Sequence, residues 1–196
     1  MGTMAQRQKR EGLYTYADYL TWPEDERWEI IDGVAYDMTP APAPRHQRIL
    51  VHLIYQLQSQ LKGQPCILFP APFDVRLPDS EDSRDEVITT VVQPDISVIC
   101  KKDKIGRRGC VGAPDLAVEI LSPSTAYKDQ TAKLNLYERS GVREYWVVNP
   151  ERQSVQVYLL REEGGFAKPV EYRSPEALPS AALEGIEVAL EEVFAD

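Results

Sequence analysis

Glu119 interrupts an otherwise apolar run, Leu116-Ala117-Val118-Glu119-Ile120-Leu121. A run of this kind is expected to form a central strand covered on both faces. A carboxylate there costs several kcal/mol unless it is paired, protonated or bound to a cation. Two readings stay open for it: a structural ion pair with a buried Arg or Lys, or a cation site. Asp95 bears on the choice through strand geometry. If residues 89–100 and 115–121 pair through the Lys101–Pro114 loop, opposed residue numbers sum to about 214 or 215. Cys100 then faces Asp115, and Asp95 falls opposite Glu119 or Ile120. Opposed side chains lie ~4.5–5.5 Å apart, and two carboxylates that close need a metal ion or a proton between them. The same count puts Asp74 near Gln93 and Pro94, as a third ligand or a supporting group on the same rim. Asp115 lies at the far end and reads as a turn or strand-start residue.

An oxygen-only set suits Mg²⁺, with Mn²⁺ as a substitute, because Mg²⁺ takes one or two carboxylates and completes its shell with water and phosphate. No Cys/His spacing points to zinc. Lys133 is the third element. Asp129, Lys133 and Tyr137 recur every four residues, which makes one stripe on a helix. Such a spacing is often an exposed ion pair worth a few tenths of a kcal/mol. If the helix instead packs across the sheet just after Glu119, its ammonium faces the ion. It could then orient a water and stabilise charge on a phosphate.

The elements that must position these groups follow from pattern. Thr15 caps a short helical start over Tyr16–Leu20. Trp28–Ile31, Asp32-Gly33 and Val34–Tyr36 read as a β-hairpin. Ile49, Leu50, Leu53, Leu57 and Leu61 recur at helical spacing within Arg45–Lys62, which Gly63 ends. Three strands are expected next, Ile67–Leu77, Thr89–Cys100 and Asp115–Leu121, as an antiparallel meander. A helix over Ser124–Ser140, closed by Gly141, and strands Glu144–Val148 and Val155–Leu160 complete the core. After Pro169 an irregular tail is expected, ending in the acidic segment Ala189–Val193. The class is α+β, of α/β/α type, with a mixed sheet flanked by helices.

At 196 residues and 43% hydrophobic content, the chain is expected to form one domain over residues 13–196, after a loose basic tail at residues 1–12. No apolar run is long enough to span a membrane, and the first residues do not resemble a secretory signal. Cys66, Cys100 and Cys110 are read as reduced structural thiols of a cytoplasmic protein. The net charge of −9 argues against a general nucleic-acid coat protein. The one basic concentration, Lys101–Arg108, reads either as a phosphate clamp or as a soluble loop. By the hairpin count it leaves the sheet at the end away from Asp95.

Taken in order, Tyr14-Thr15, Tyr19-Leu20, Glu29-Ile30-Ile31-Asp32-Gly33, Met38, His46, Asp74-Val75-Arg76-Leu77, Gln93-Pro94-Asp95, Pro114 through Ser124, Asp129, Lys133, Tyr137 and Gly141 through Trp146 resemble the PD-(D/E)XK nuclease superfamily. Within it they are similar to the Uma-type, restriction-endonuclease-like bacterial family expanded in cyanobacteria. The resemblance implies a restriction-endonuclease-like core, a Mg²⁺-dependent phosphodiesterase acting on nucleic acid, DNA foremost, and a homodimer. It matches Asp95 and Glu119 to the superfamily's two acids. The superfamily's lysine would fall at Leu121, so Lys133 from the next helix is its expected replacement, with Lys128 the weaker substitute. His46 leads the apolar stripe of its helix and either points at the site or packs as a satisfied core residue. His52 is expected at the surface. The alternative to an endonuclease is a weak or inactive nuclease-fold module with a binding or regulatory role.

Overall fold

The structure is a computed structural model and describes residues 6–7, 13–38, 43–122 and 131–195. A two-residue strand, β1 (Gln6–Arg7), comes first, followed by α1 (Tyr16–Tyr19). Thr15 and Asp18 close a capping box at the start of α1. The expected hairpin is present: β2 (Trp28–Ile31) and β3 (Val34–Asp37) are joined by Asp32 and Gly33, both at positive φ. In α2 (Pro44–Gln60) the expected stripe of Ile49, Leu50, Leu53 and Leu57 is buried. His52 is half-buried, not at the surface as expected, with Nδ1 3.3 Å from the Val193 carbonyl.

Each of the next two expected strands is divided. The first becomes β4 (Ile67–Pro70) and β5 (Val75–Arg76), and the second becomes β6 (Val91–Val92) and β7 (Ile96–Ile99). Pro70, Pro72 and Pro94 supply the reason, since a residue without an N–H cannot continue a ladder. At both breaks the chain passes from one sheet to another. A 3₁₀ turn (Lys102–Lys104) leads to β8 (Ile105–Gly106), β9 (Gly109–Val111) and β10 (Leu116–Ile120). Of the expected second helix, α3 (Ala132–Ser140) is present, and Gly141 closes it in the left-handed conformation. Lys128 and Asp129 lie outside the described residues.

After α3 come β11 (Glu144–Asn149) and β12 (Ser154–Leu159), as expected. The supposedly irregular tail is ordered: β13 (Val170–Arg173), β14 (Ala177–Pro179), β15 (Glu187–Ala189) and α4 (Leu190–Val193). Its strands are only three or four residues long, too short to show a clear alternation, yet Leu178, Val188, Leu190 and Val193 are fully buried in the core that α2 covers.

Two sheets carry the fold. The six-stranded core sheet has the order β13-β12-β11-β10-β7-β4, and the seven-stranded second sheet, built of shorter strands, has the order β1-β3-β2-β6-β5-β9-β8. In the core sheet β4, β7 and β10 form the expected antiparallel meander, whereas β10 and β11 are parallel and are linked by the crossover that contains α3. Val118 faces Ile96 and Leu116 faces Val98, a sum of 214 (118 + 96 and 116 + 98). Residues of even number in β7 and β10 pack under α2, while Ala117, Tyr145 and Val147 turn the other way, toward α3 and the second sheet. Glu119 shares that second face.

Cys66 and Cys100 form a disulfide, which corrects the expectation of three reduced thiols. The β4–β7 register pairs Ile67 with Ile99, so the next pair along the ladder is these two cysteines. Only Cys110 is a free thiol among the described residues.

Candidate active site

Of the two readings left open for Glu119, the ion pair is present, and its partner is a buried lysine. Lys133 is buried on α3 with Leu136 and Tyr137, at positions i, i+3 and i+4. Its Nζ lies 2.6 Å from Glu119 Oε1 and 2.9 Å from Glu29 Oε1. Tyr137 donates its hydroxyl to the same Glu119 oxygen at 2.8 Å, and the Gln93 N–H donates to Glu29 Oε1 at 2.8 Å. Lys133 is 2% exposed, Glu119 4% and Glu29 0%. Lys133 therefore comes from α3 and reaches across to Glu119, while Leu121 occupies the strand position two beyond the acid and packs with the apolar side chains of that face.

Asp95 immediately precedes β7, the neighbouring strand. Its Oδ2 accepts the Ile120 N–H at 2.7 Å, a bond that crosses from β10 just beside Glu119. His46 Nε2 lies 3.2 Å from the same oxygen, so His46 points at the site. His46 Nδ1 is buried with no hydrogen-bond partner among the described residues. The Ile120 and His46 contacts both fall on Oδ2, and Asp95 Oδ1 accepts no hydrogen bond among the described residues.

Glu29, Asp95 and Glu119 bring three carboxylates to the neighbourhood of the Lys133 ammonium. Asp95 and Glu119 offer oxygen donors only, the donor chemistry of Mg²⁺. Among the described residues no group of three His, Cys, Asp or Glu side chains converges on one point. Two carboxylates are enough for Mg²⁺ when water and phosphate complete the shell, so the residues present fit the ion.

Asp74 lies one step away. Its carboxylate accepts the hydroxyls of Tyr16 (2.9 Å) and Tyr19 (3.3 Å) and the Gln93 side-chain amide (2.9 Å). Burial first, then the Asp74 charge, pushes both phenols well above the usual tyrosine range. Val75 pairs with Val92, so Asp74 falls opposite Gln93, as the count expected. Gln93 thus links Asp74 to Glu29, and through Glu29 to Lys133.

The basic loop behaves differently from expectation. It leaves β7 at the far end, but β9 folds back and pairs in parallel with β5, Cys110 beside Val75. A Cβ at Gly109 (φ +90°) would lie 2.0 Å from the Asp74 carbonyl oxygen. Arg108 stacks over the Tyr16 ring and binds Asp85 at 2.5 Å. The loop's tip therefore lies beside Asp74.

Glu29 was not among the expected site residues. The signal was available, since Trp-Glu-Ile-Ile is a carboxylate in an apolar strand like that around Glu119. What pattern could not supply was the stacking of its sheet over α3.

The sequence model of one family, Uma2, described as "putative restriction endonuclease", matches residues 16–191. An uncharacterized protein of Synechocystis sp. is 26% identical over 152 residues, 76% of this chain and 75% of its own length. The crystal structure of a putative nuclease belonging to DUF820 from Anabaena variabilis superposes with a TM-score of 0.72 at 21% identity, covering 93% of this chain and 98% of that one. That likeness places the chain in a restriction-endonuclease-like nuclease fold. With nearly its whole length matched, the chain belongs to the Uma2 family.

Proposed function

We propose that the protein is a Mg²⁺-dependent endonuclease that hydrolyses phosphodiester bonds in DNA, in the manner of PD-(D/E)XK enzymes. The observation that carries this reading is the Lys133–Glu119 contact of 2.6 Å beside Asp95. It completes an acid–acid–lysine set although Leu121 stands where the lysine would otherwise be. Asp95 and Glu119 would hold the ion, which when bound supplies an activated water and charge neutralisation at the phosphate. Lys133 stabilises charge developing on the scissile phosphate, Glu29 and Tyr137 hold Lys133 and Glu119 in place, and His46 fixes the Asp95 carboxylate. Asp74 supports the set through Gln93.

Family membership and the nuclease-like fold support a nucleic-acid substrate. No helix among the described residues is long and apolar enough to cross a membrane. We place the protein in the cytoplasm, with its DNA, as a homodimer that brings two sites to one duplex.

The test is cleavage of supercoiled plasmid with Mg²⁺ or Mn²⁺ by wild type, Asp95→Ala and Lys133→Ala. Nicking by wild type alone is expected, and equal activity in all three removes the site. One observation favours a second reading, a module that binds or regulates without cutting: Lys133 and Glu119 are nearly without exposure. No cleavage by any of the three, with DNA binding retained, would establish that reading instead.

A further inference from the structure

The row of the sheet that carries Glu119 continues across three more strands. Glu119 is beside Val147, Val147 beside Gln156, and Gln156 beside Glu171. Strands lie ~4.8 Å apart, so Gln156 is about 10 Å from Glu119 and on the same face. In the next row Asn149 pairs with Ser154, and the Leu121 N–H donates to the Val148 carbonyl. These residues, with Arg152 from the turn between β11 and β12, line a cavity of about 200 Å³. Leu121, two residues beyond Glu119, borders that cavity, and Val147, Gln156 and Glu171 of the Glu119 row also line it.

The lining is chemically specific. Val147 and Leu121 offer an apolar floor. Arg152 is exposed, and its backbone N–H donates to Asn149 Oδ1 at 3.0 Å. The Arg152 guanidinium and the half-buried Gln156 amide have no hydrogen-bond partner among the described residues. Glu171, at the far rim, is held in its charged form by the Arg173 guanidinium and then by the Ser154 hydroxyl. A guanidinium matches a phosphate. Side-chain amides match the donor and acceptor edges of a base, and a carboxylate accepts from an exocyclic amino group. The volume falls below the ~300 Å³ at which sites for drug-sized ligands begin, so the cavity has room for part of one nucleotide and not for an extended ligand.

We propose that this cavity is a nucleotide subsite. It takes the nucleotide adjoining the linkage cut at Asp95 and Glu119, with its phosphate on Arg152 and its base edge on Gln156 and Asn149. The proposal rests on the nuclease reading above. It also gives Leu121 a purpose: an apolar side chain there floors the subsite where a lysine would fill it.

Two measurements test it. The first is anisotropy of a fluorescein-labelled DNA duplex over a salt series, with Ca²⁺ replacing Mg²⁺, for wild type, Arg152→Ala and Arg161→Ala. Arg161→Ala removes the same charge at the opposite end of β12. Arg152→Ala is expected to raise Kd about tenfold and to lower the salt slope by about one, with Arg161→Ala close to wild type. The second is the base composition next to plasmid cuts, where Gln156→Ala is expected to flatten any preference wild type shows. Wild-type Kd, salt slope and base preference in these variants, while Asp95→Ala abolishes cutting, would overturn the subsite and leave the nuclease reading intact. Weakened binding by Arg152→Ala in a protein that never cuts would overturn the nuclease reading, and with it the subsite's place beside a cut linkage, while keeping Arg152 as a DNA contact. Absence of both binding and cutting in wild type overturns both.

Discussion

Glu119 and Glu144 lie on adjacent parallel strands, at opposite ends of the core sheet, and both are buried. Their surroundings differ in kind. Glu144 receives neutral donors: Trp146 Nε1 at 2.6 Å, the Ser180 hydroxyl at 2.6 Å and the Ala182 N–H at 2.7 Å. Around it the sheet end is braced by the Cys66–Cys100 disulfide and by Asp115, which accepts the Cys100 N–H and binds Arg143. Glu119 instead faces an ammonium, a second buried carboxylate and, across the strand pair, Asp95. A buried acid satisfied by neutral donors ties chain segments together. One set among an ammonium and further carboxylates answers to charge, its own neighbours' and a ligand's.

The largest expected contrast is in rate. Glu119→Gln keeps the shape and the tyrosine contact but loses the charge, and plasmid cleavage should fall about 10³-fold or more. Glu144→Gln should stay within about twofold of wild type. Comparable losses in both would mean that the two ends of the sheet are not functionally distinct.

Lys133→Met removes the ammonium that Glu29 and Glu119 share. Breaking a buried pair from one side costs about 3–5 kcal/mol, so a urea titration should show that loss. The loss should shrink as pH falls and one carboxylate takes a proton. A loss below ~1 kcal/mol would show that the cluster is wetter than its burial suggests.

At the other end, Glu144→Ala strands three buried donors at ~1–3 kcal/mol each before relaxation, and a net loss near ~3 kcal/mol is expected. Reducing the disulfide, which closes 34 residues of chain, should cost about 3–4 kcal/mol. Both perturbations should spare cleavage at temperatures where the protein stays folded. Cys110 will not confuse the thiol count in the native protein, because burial pushes its thiol up to about 12. At pH 8 it is protonated as well as enclosed.

How much of this was legible in the sequence follows the same division. Asp95 and Glu119 could be paired by counting, because a hairpin's parity is local arithmetic, and the observed sum of 214 agrees with it. Lys133 was legible because helix spacing puts it one turn from Tyr137. Glu29 was not, because sheet-on-helix stacking is decided by bulky side chains such as Val75, Val92, Tyr137 and Tyr145 packing together. The prolines that divide two strands were in plain view, but long apolar runs masked the change of sheet. Glu144 is a warning. A carboxylate in an apolar strand marks burial alone, and only its neighbours tell brace from site.

The subtlest contrast separates them without any substrate. An ion that binds the folded state alone stabilises it by RT ln(1 + [L]/Kd), about 2.7 kcal/mol at a hundredfold excess over Kd. In a chain of this length that raises Tm by about 5–10 °C. Wild type and Glu144→Gln should both show the rise with Mg²⁺, and Asp95→Asn should not, since removing one carboxylate charge takes away half of the proposed donor set. A rise that persists in Asp95→Asn would place the ion elsewhere. The absence of any rise in wild type would mean that Lys133 already meets the demand of the buried carboxylates, and that the charges at this end balance as fully as the hydrogen bonds do at the other.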